Sequence, residues 1–279
     1  MHYTTLISAS DLLPHVAQAN WIVLDCRHDL MDPQAGRSAF DGGHLPGAQF
    51  ASVDTALADK QAGGGRHPLP SRESFLATLR SWGVNDDSQA IAYDAHGGMY
   101  AARLWWMLRW IGHDAVAVLD GGLPAWMAAG GALSTAGVNK PTGNLRGRAS
   151  AVNSVTVADL VANLANGTNQ VVDARAPDRF RGENETIDPV GGHIPGASNR
   201  FFKDNLQADG RFKPAAQLQA EWRGVIDVPA EAIMQCGSGV SACHNLLALE
   251  IAGLPGAALY PGSWSEWCTD PARPVATGD

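Results

Sequence analysis

A chain of 279 residues, 45% of them hydrophobic and with a formal charge of -8, suits two domains better than one. The acidic balance argues against nucleic acid or an anionic membrane as main partner. No apolar run approaches the ~18 residues of a bilayer span. Residues Met1 to Thr5 lack the basic start and apolar core of a secretory leader, and Cys26, Cys236, Cys243 and Cys268 form neither a CxxC pair nor a disulfide framework, which points to a reducing cytoplasm.

In chain order, Trp21-Ile22-Val23-Leu24-Asp25 reads as a buried strand, followed by the turn-rich Gly42-Gly43-His44-Leu45-Pro46-Gly47-Ala48. A helix opens at Ser71, runs to Trp82 and stops at Gly83. A second apolar run, Ile91-Ala92-Tyr93-Asp94-Ala95, precedes a helix over 101–111 that carries Trp105 and Trp106 and ends at Gly112. Residues 136–150, rich in Gly, Asn, Pro and basic side chains, read as a linker. Gln170-Val171-Val172-Asp173 then reads as another buried strand.

The second half repeats the first. Val23-Leu24-Asp25-Cys26-Arg27 recurs as Val171-Val172-Asp173-Ala174-Arg175, and Gly42 to Ala48 recurs as Gly191-Gly192-His193-Ile194-Pro195-Gly196-Ala197. An offset of 141 places Ala95 on Cys236, Gly121 on Gly262 and Trp126 on Trp267. Three motifs recurring in one order make the chain an internal duplication. Short apolar strands alternating with helices predict, in each copy, a parallel sheet with helices on both faces. Ligands of such sheets sit beyond the carboxyl ends of the strands.

Cys236 occupies that position. It stands where Ala232-Ile233-Met234-Gln235 breaks into Gly237-Ser238-Gly239-Val240-Ser241, ahead of residues 245–250 with helical composition. A thiol there faces loop N–H groups and the positive end of a helix, an environment that favours the nucleophilic thiolate. Two glycines let the loop curl so that several donors aim at one point. Cys243, two helical turns on, fits core packing.

Together, the duplicated Asp-x-Arg and Gly-His-Ile/Leu-Pro-Gly-Ala motifs, the Cys-Gly-Ser-Gly-Val-Ser loop and the stretch Tyr260-Pro261-Gly262-Ser263-Trp264-Ser265-Glu266-Trp267 resemble the tandem rhodanese-domain sulfurtransferases, which use thiosulfate or 3-mercaptopyruvate. The resemblance spans nearly the whole chain. It implies two tandem rhodanese-like α/β domains: an inactive copy over 1–135, with Ala95 in the catalytic place, and a catalytic copy over 151–279. It also implies ping-pong transfer, with Cys236 taking the sulfane sulfur as a persulfide and passing it to cyanide, a thiol or a protein. The amides of Gly237, Ser238, Gly239, Val240 and Ser241 would hold the anionic outer sulfur. No metal or organic cofactor is expected, and the nine histidines are not at metal-ligand spacing.

Thiosulfate-preferring members usually carry basic residues in this loop, so the uncharged Gly237-Ser238 pair resembles the 3-mercaptopyruvate type, with thiosulfate as the alternative donor. Arg179 matches the family arginine that binds the donor's anionic group, and a guanidinium suits a carboxylate because it binds bidentately. The second arginine that mercaptopyruvate enzymes carry about nine residues later is missing from Glu183-Asn184-Glu185-Thr186-Ile187-Asp188, and Arg200 is the candidate substitute. The resemblance makes His44 a substrate-side residue facing the loop, with Asp32 or Asp41 as acidic partner, and leaves His193 a structural role. A phosphatase of this fold would need an arginine closing the cysteine loop, where this chain has Ser241, Ala242, Cys243 and His244. The remaining alternative is a non-enzymatic persulfide carrier that delivers sulfur to a partner protein.

Overall fold

The computed structural model describes residues 2–279 and divides the chain into two compact units. The first comprises residues 2–59, 70–151 and 208–212, and the second 60–69, 152–207 and 213–279. Residues 60–69, which lie inside the first copy in sequence, thus belong to the second unit. No described helix is long and apolar enough to cross a membrane.

Each unit is built on a five-stranded, wholly parallel sheet. In the first, β1 (Leu6–Ile7), β2 (Trp21–Asp25), β3 (Gln49–Phe50), β4 (Gln89–Tyr93) and β5 (Val116–Leu119) take the order β1-β5-β4-β2-β3. In the second, β6 (Asn153–Ser154), β7 (Gln170–Asp173), β8 (Ser198–Asn199), β9 (Ala232–Gln235) and β10 (Ala258–Leu259) take the order β6-β10-β9-β7-β8. The duplication seen in the sequence is therefore a duplication of topology. Strands β2, β4 and β9 are buried along their whole length, as the continuous apolar runs required.

Local signals set the helix ends. Ser71 caps the helix Arg72–Ser81 by accepting from the Ser74 N–H at 3.1 Å. The helix Ala101–Trp110 buries eight of its ten residues, Trp105 and Trp106 among them, so the tryptophan pair is core. Residues 136–150 are not a loose tether. They lie along the first unit, where the Gly143 and Leu145 amides donate to the Arg80 and Val84 carbonyls (2.8 and 3.2 Å), and Leu145 is buried.

Each Asp-x-Arg motif is a buried ion pair at the end of a central strand. The Arg27 guanidinium reaches Asp25 at 2.6 Å and the Gly43 carbonyl at 2.8 Å, and Arg175 reaches Asp173 and the Gly192 carbonyl at 2.7 Å each. The pair thus ties the strand end to the Gly-His turn. Tyr93 donates to Asp25 at 2.5 Å, and burial together with that carboxylate pushes its phenol pKa up.

His44 is the counterpart of His193 in this framework, which corrects its expected place at the substrate. His44 stacks on Phe40 at 3.9 Å, with Nδ1 2.8 Å from the Phe40 carbonyl and Nε2 3.2 Å from that of Ala136. His193 stacks on Phe180 at 3.7 Å, with Nδ1 2.9 Å from the Phe180 carbonyl. Each residue also pairs through its backbone with the end of its own domain, at Ser134 or Ala276. Both rings brace a turn, and both His44 nitrogens face backbone of their own unit.

Removing one partner of a fully buried pair leaves an uncompensated charge. Arg27→Ala is expected to destabilise the first unit by about 3–5 kcal/mol, read by urea denaturation; a loss below about 1 kcal/mol would show that other groups compensate the Asp25 carboxylate.

Candidate active site

The Cys236 loop follows the carboxyl end of β9 and leads into the helix Ala242–Ile251. The bend is tight because Gly239 adopts φ +74°, and a Cβ there would lie 2.3 Å from the Pro261 carbonyl oxygen. Cys236 is 1% exposed at the bottom of this loop. The amides of Gly237, Ser238, Val240 and Ser241 meet no hydrogen-bond acceptor among the described residues. They lie at the N-terminus of a ten-residue helix, which adds its own partial positive charge.

The first copy shows what this loop shape holds. There the Asp94 carboxylate accepts from the amides of His96 (2.8 Å), Gly98 (2.9 Å), Tyr100 (2.8 Å) and Ala101 (3.0 Å). At the offset of 141 these amides correspond to those of Gly237, Gly239, Ser241 and Ala242. Asp94 corresponds to the neutral Gln235. The first copy has Ala95 where the second has Cys236, and its own Asp94 carboxylate fills the anion cradle.

The turn before the last helix fixes the backbone of Cys236. Ser263 takes φ +53°, the one described non-glycine residue in the left-handed region, and its first-copy counterpart Gly122 takes φ +57°. Serine is held there by its hydroxyl: Oγ accepts from the Cys236 N–H at 3.1 Å and donates to the Tyr260 carbonyl at 2.9 Å. The Trp264 and Ser265 amides donate to the carbonyls of Cys236 and Gly237, each at 2.9 Å. Cys243, fully buried, donates to the Gly239 carbonyl at 3.3 Å and so packs beneath the loop. Burial pushes the thiols of Cys26 and Cys268 up, away from reactivity.

Two residues missed in the sequence complete the site. They follow a glycine run, Gly63-Gly64-Gly65-Arg66-His67, inside the segment that folds with the second unit. Nδ1 of His67 lies 2.7 Å from the Ser238 hydroxyl. The Arg66 N–H donates to Ser265 Oγ at 2.9 Å, and its guanidinium comes so close to the loop that a Cβ on Gly237 would lie 2.9 Å from Nη2. Arg179 stands by the same spot, with both Nη atoms 3.8 Å from that position. The glycine run beside a basic pair was the available signal, hidden because it lies in the first half of the sequence.

Arg200 is elsewhere: it pairs with Glu221 at 2.5 Å and packs over Trp222. The second guanidinium at the loop is therefore that of Arg66.

Carboxylates hold the arginines in place. Glu185 binds Arg179 in a fork (2.8 to 3.1 Å) and reaches Arg175 at 3.4 Å, while Asp188 bridges Arg66 (2.5 Å) and Arg179 (3.2 Å). Burial works against the charge of Arg175, but Asp173, Glu185 and Cys236 outweigh it and raise its pKa. Burial likewise opposes ionisation of Glu185, yet the Asp188 and Ile187 amides and Arg179 hold its carboxyl below the ordinary value.

A carboxyl lowered on folding contributes stability that is complete above its unfolded value and lost as pH falls through the lower folded value. Glu185→Gln should therefore flatten the decline in stability below its ordinary value of 4.5, measured by urea denaturation across acidic pH. An unchanged acid limb would assign that decline to other carboxylates. Ser263→Ala keeps the left-handed strain and loses both hydroxyl bonds, so it is expected to cost about 1–3 kcal/mol. Ser263→Gly, which relieves the strain, should cost less in thermal unfolding; the reverse order would mean that the left-handed strain contributes little.

The rhodanese-like domain family matches residues 8–129 and again 156–270. The chain is 46% identical over 284 aligned residues to a "Probable 3-mercaptopyruvate sulfurtransferase" of Pseudomonas aeruginosa, covering 100% of both chains. It is 32% identical over 255 residues to a thiosulfate sulfurtransferase of Cricetulus griseus, covering 88% of this chain and 84% of the relative. The crystal structure of SseA from Escherichia coli, of the 3-mercaptopyruvate type, superposes with a TM-score of 0.82 at 32% identity, over 94% of this chain and 100% of that one. With a Cys236 cradle in one copy and its plugged counterpart in the other, the chain belongs to the rhodanese-like family as a tandem-domain sulfurtransferase.

Proposed function

We propose that this enzyme takes sulfur from 3-mercaptopyruvate as a persulfide on Cys236 and passes it to a small thiophile such as cyanide or a thiol. The observation that carries the choice of donor is the Ser238 hydroxyl, 2.7 Å from His67 Nδ1 in the loop that begins at Cys236. Attack of the Cys236 thiolate on the donor's thiol sulfur breaks a carbon–sulfur bond, and the electron pair leaves on carbon as the enolate of pyruvate. That carbon needs a proton, and a hydroxyl backed by an imidazole supplies one in place. Thiosulfate releases sulfite, which departs as an anion and needs no such relay.

The remaining parts have matching roles. The loop amides and the helix N-terminus stabilise negative charge on Cys236 and on the outer persulfide sulfur. Arg179, with Arg66 beside it, binds the donor carboxylate. Attack of the acceptor on the outer sulfur returns the Cys236 thiolate and closes the cycle. Four cysteines outside any disulfide fit a reducing compartment, and we assign the enzyme to the cytoplasm.

Cys236→Ser is expected to abolish transfer with the fold intact. Ser238→Ala and His67→Gln should each lower kcat with 3-mercaptopyruvate by about a hundredfold while barely affecting thiosulfate turnover. Equal losses with both donors would remove the proton-relay role. Arg179→Ala should raise KM for 3-mercaptopyruvate by about tenfold or more with a smaller change in kcat, and an unchanged donor dependence would take Arg179 out of the donor site.

A further inference from the structure

We propose that Asp188 sets the donor specificity of this enzyme as a charge filter, by cancelling part of the positive charge that Arg66 and Arg179 present at the Cys236 loop so that a monoanionic donor is accepted and a dianionic one is disfavoured. The inference rests on the sulfur-transfer reading above and adds the reason for its selectivity.

The observations form a chain of alternating charge. Asp173 pairs with Arg175, Arg175 with Glu185, Glu185 with Arg179, Arg179 with Asp188, and Asp188 with Arg66, over distances of 2.5 to 3.4 Å. Three carboxylates thus face three guanidiniums. Four of these six groups are buried: the side chains of Asp173, Arg175, Glu185 and Asp188 are at most 4% exposed. Arg66 and Arg179 are the two more exposed members, at 26% and 19%, and they are the two that approach Gly237.

Asp188 is the one carboxylate that touches both. Its two oxygens are divided, Oδ1 to Arg66 and Oδ2 to Arg179, so it holds the guanidiniums together and halves their combined charge. A donor with one carboxylate adds a single negative charge to a balanced cluster beside a thiolate. Thiosulfate adds two. In a partly buried site the second charge meets weak screening and is strongly disfavoured. Selectivity by charge thus arises in the arginine cluster, while the loop itself stays neutral.

The test reads anion binding at Cys236 directly. Alkylation of Cys236 by iodoacetamide is followed by mass spectrometry with increasing pyruvate, a monoanion, or sulfate, a dianion, in the wild type, Asp188→Asn and Asp188→Glu. Turnover with 3-mercaptopyruvate and thiosulfate is measured in parallel. In the wild type, pyruvate should protect at lower concentration than sulfate. Asp188→Asn should lower the half-protecting sulfate concentration by about tenfold relative to pyruvate and raise the thiosulfate-to-mercaptopyruvate ratio of kcat/KM by a similar factor. Asp188→Glu, which keeps the charge, should keep the wild-type order. Sulfate protecting the wild type better than pyruvate, or both ratios unmoved in Asp188→Asn, would overturn the proposal. Should Asp188→Asn fail to fold, Asp188→Ser, which also removes the charge, is read for the same two ratios with the same deciding outcomes. A wild type that shows the expected protection yet takes no sulfur from 3-mercaptopyruvate would sink the donor assignment and leave the charge filter standing.

Discussion

The rest of this molecule depends on the convergence of backbone N–H groups where a strand turns sharply into a helix. Such groups must meet an acceptor or remain costly. The chain builds the same turn twice and satisfies it in two ways. After β4 the acceptor is a carboxylate from the chain itself, whereas after β9 the amides stand open around Cys236, where the proposed persulfide would place its charge. Much of the surrounding structure keeps that turn rigid: the left-handed residue at Gly122 or Ser263, the glycine at the crossing with the neighbouring turn, and the ion pair that ends the adjacent strand.

The arginines illustrate how a cationic site is kept in order inside a protein. A guanidinium near a buried cysteine has to be oriented, and an arginine side chain has many rotamers to lose. Here each contacts a carboxylate that is itself held by amides or by another arginine, so the orientation comes from a chain of ion pairs. The consequence for chemistry is restraint: the site attracts anions without becoming a general anion trap.

Much of this was legible in the sequence. Strands Trp21–Asp25 and Gln170–Asp173 fall where continuous apolar runs place them, because a strand buried on both faces leaves that plain signature. The duplication exposed the topology, and the Gly/Ser loop after Gln235 exposed the cradle. His44 misled because the Gly-His motif is shared by both copies, and a residue demanded by the fold twice over is a brace. Arg66 and His67 were hidden for a related reason: sequence proximity assigned them to the first copy, whereas packing gives residues 60–69 to the second. Nothing in local propensity records such an exchange. Asp188 read as an absent arginine, since its meaning lies in the two guanidiniums it joins.

The carboxylate of Asp94 also has an evolutionary consequence. It satisfies four amides at once, so the first copy is folded around a filled cradle. A thiol regained at Ala95 would find the cradle taken. Clearing the cradle first would strand those amides, at roughly 1–3 kcal/mol for each one left unmet. Reversion must cross a valley of instability with no activity to reward the crossing, and a one-sided division of labour between two similar halves becomes irreversible through stability alone.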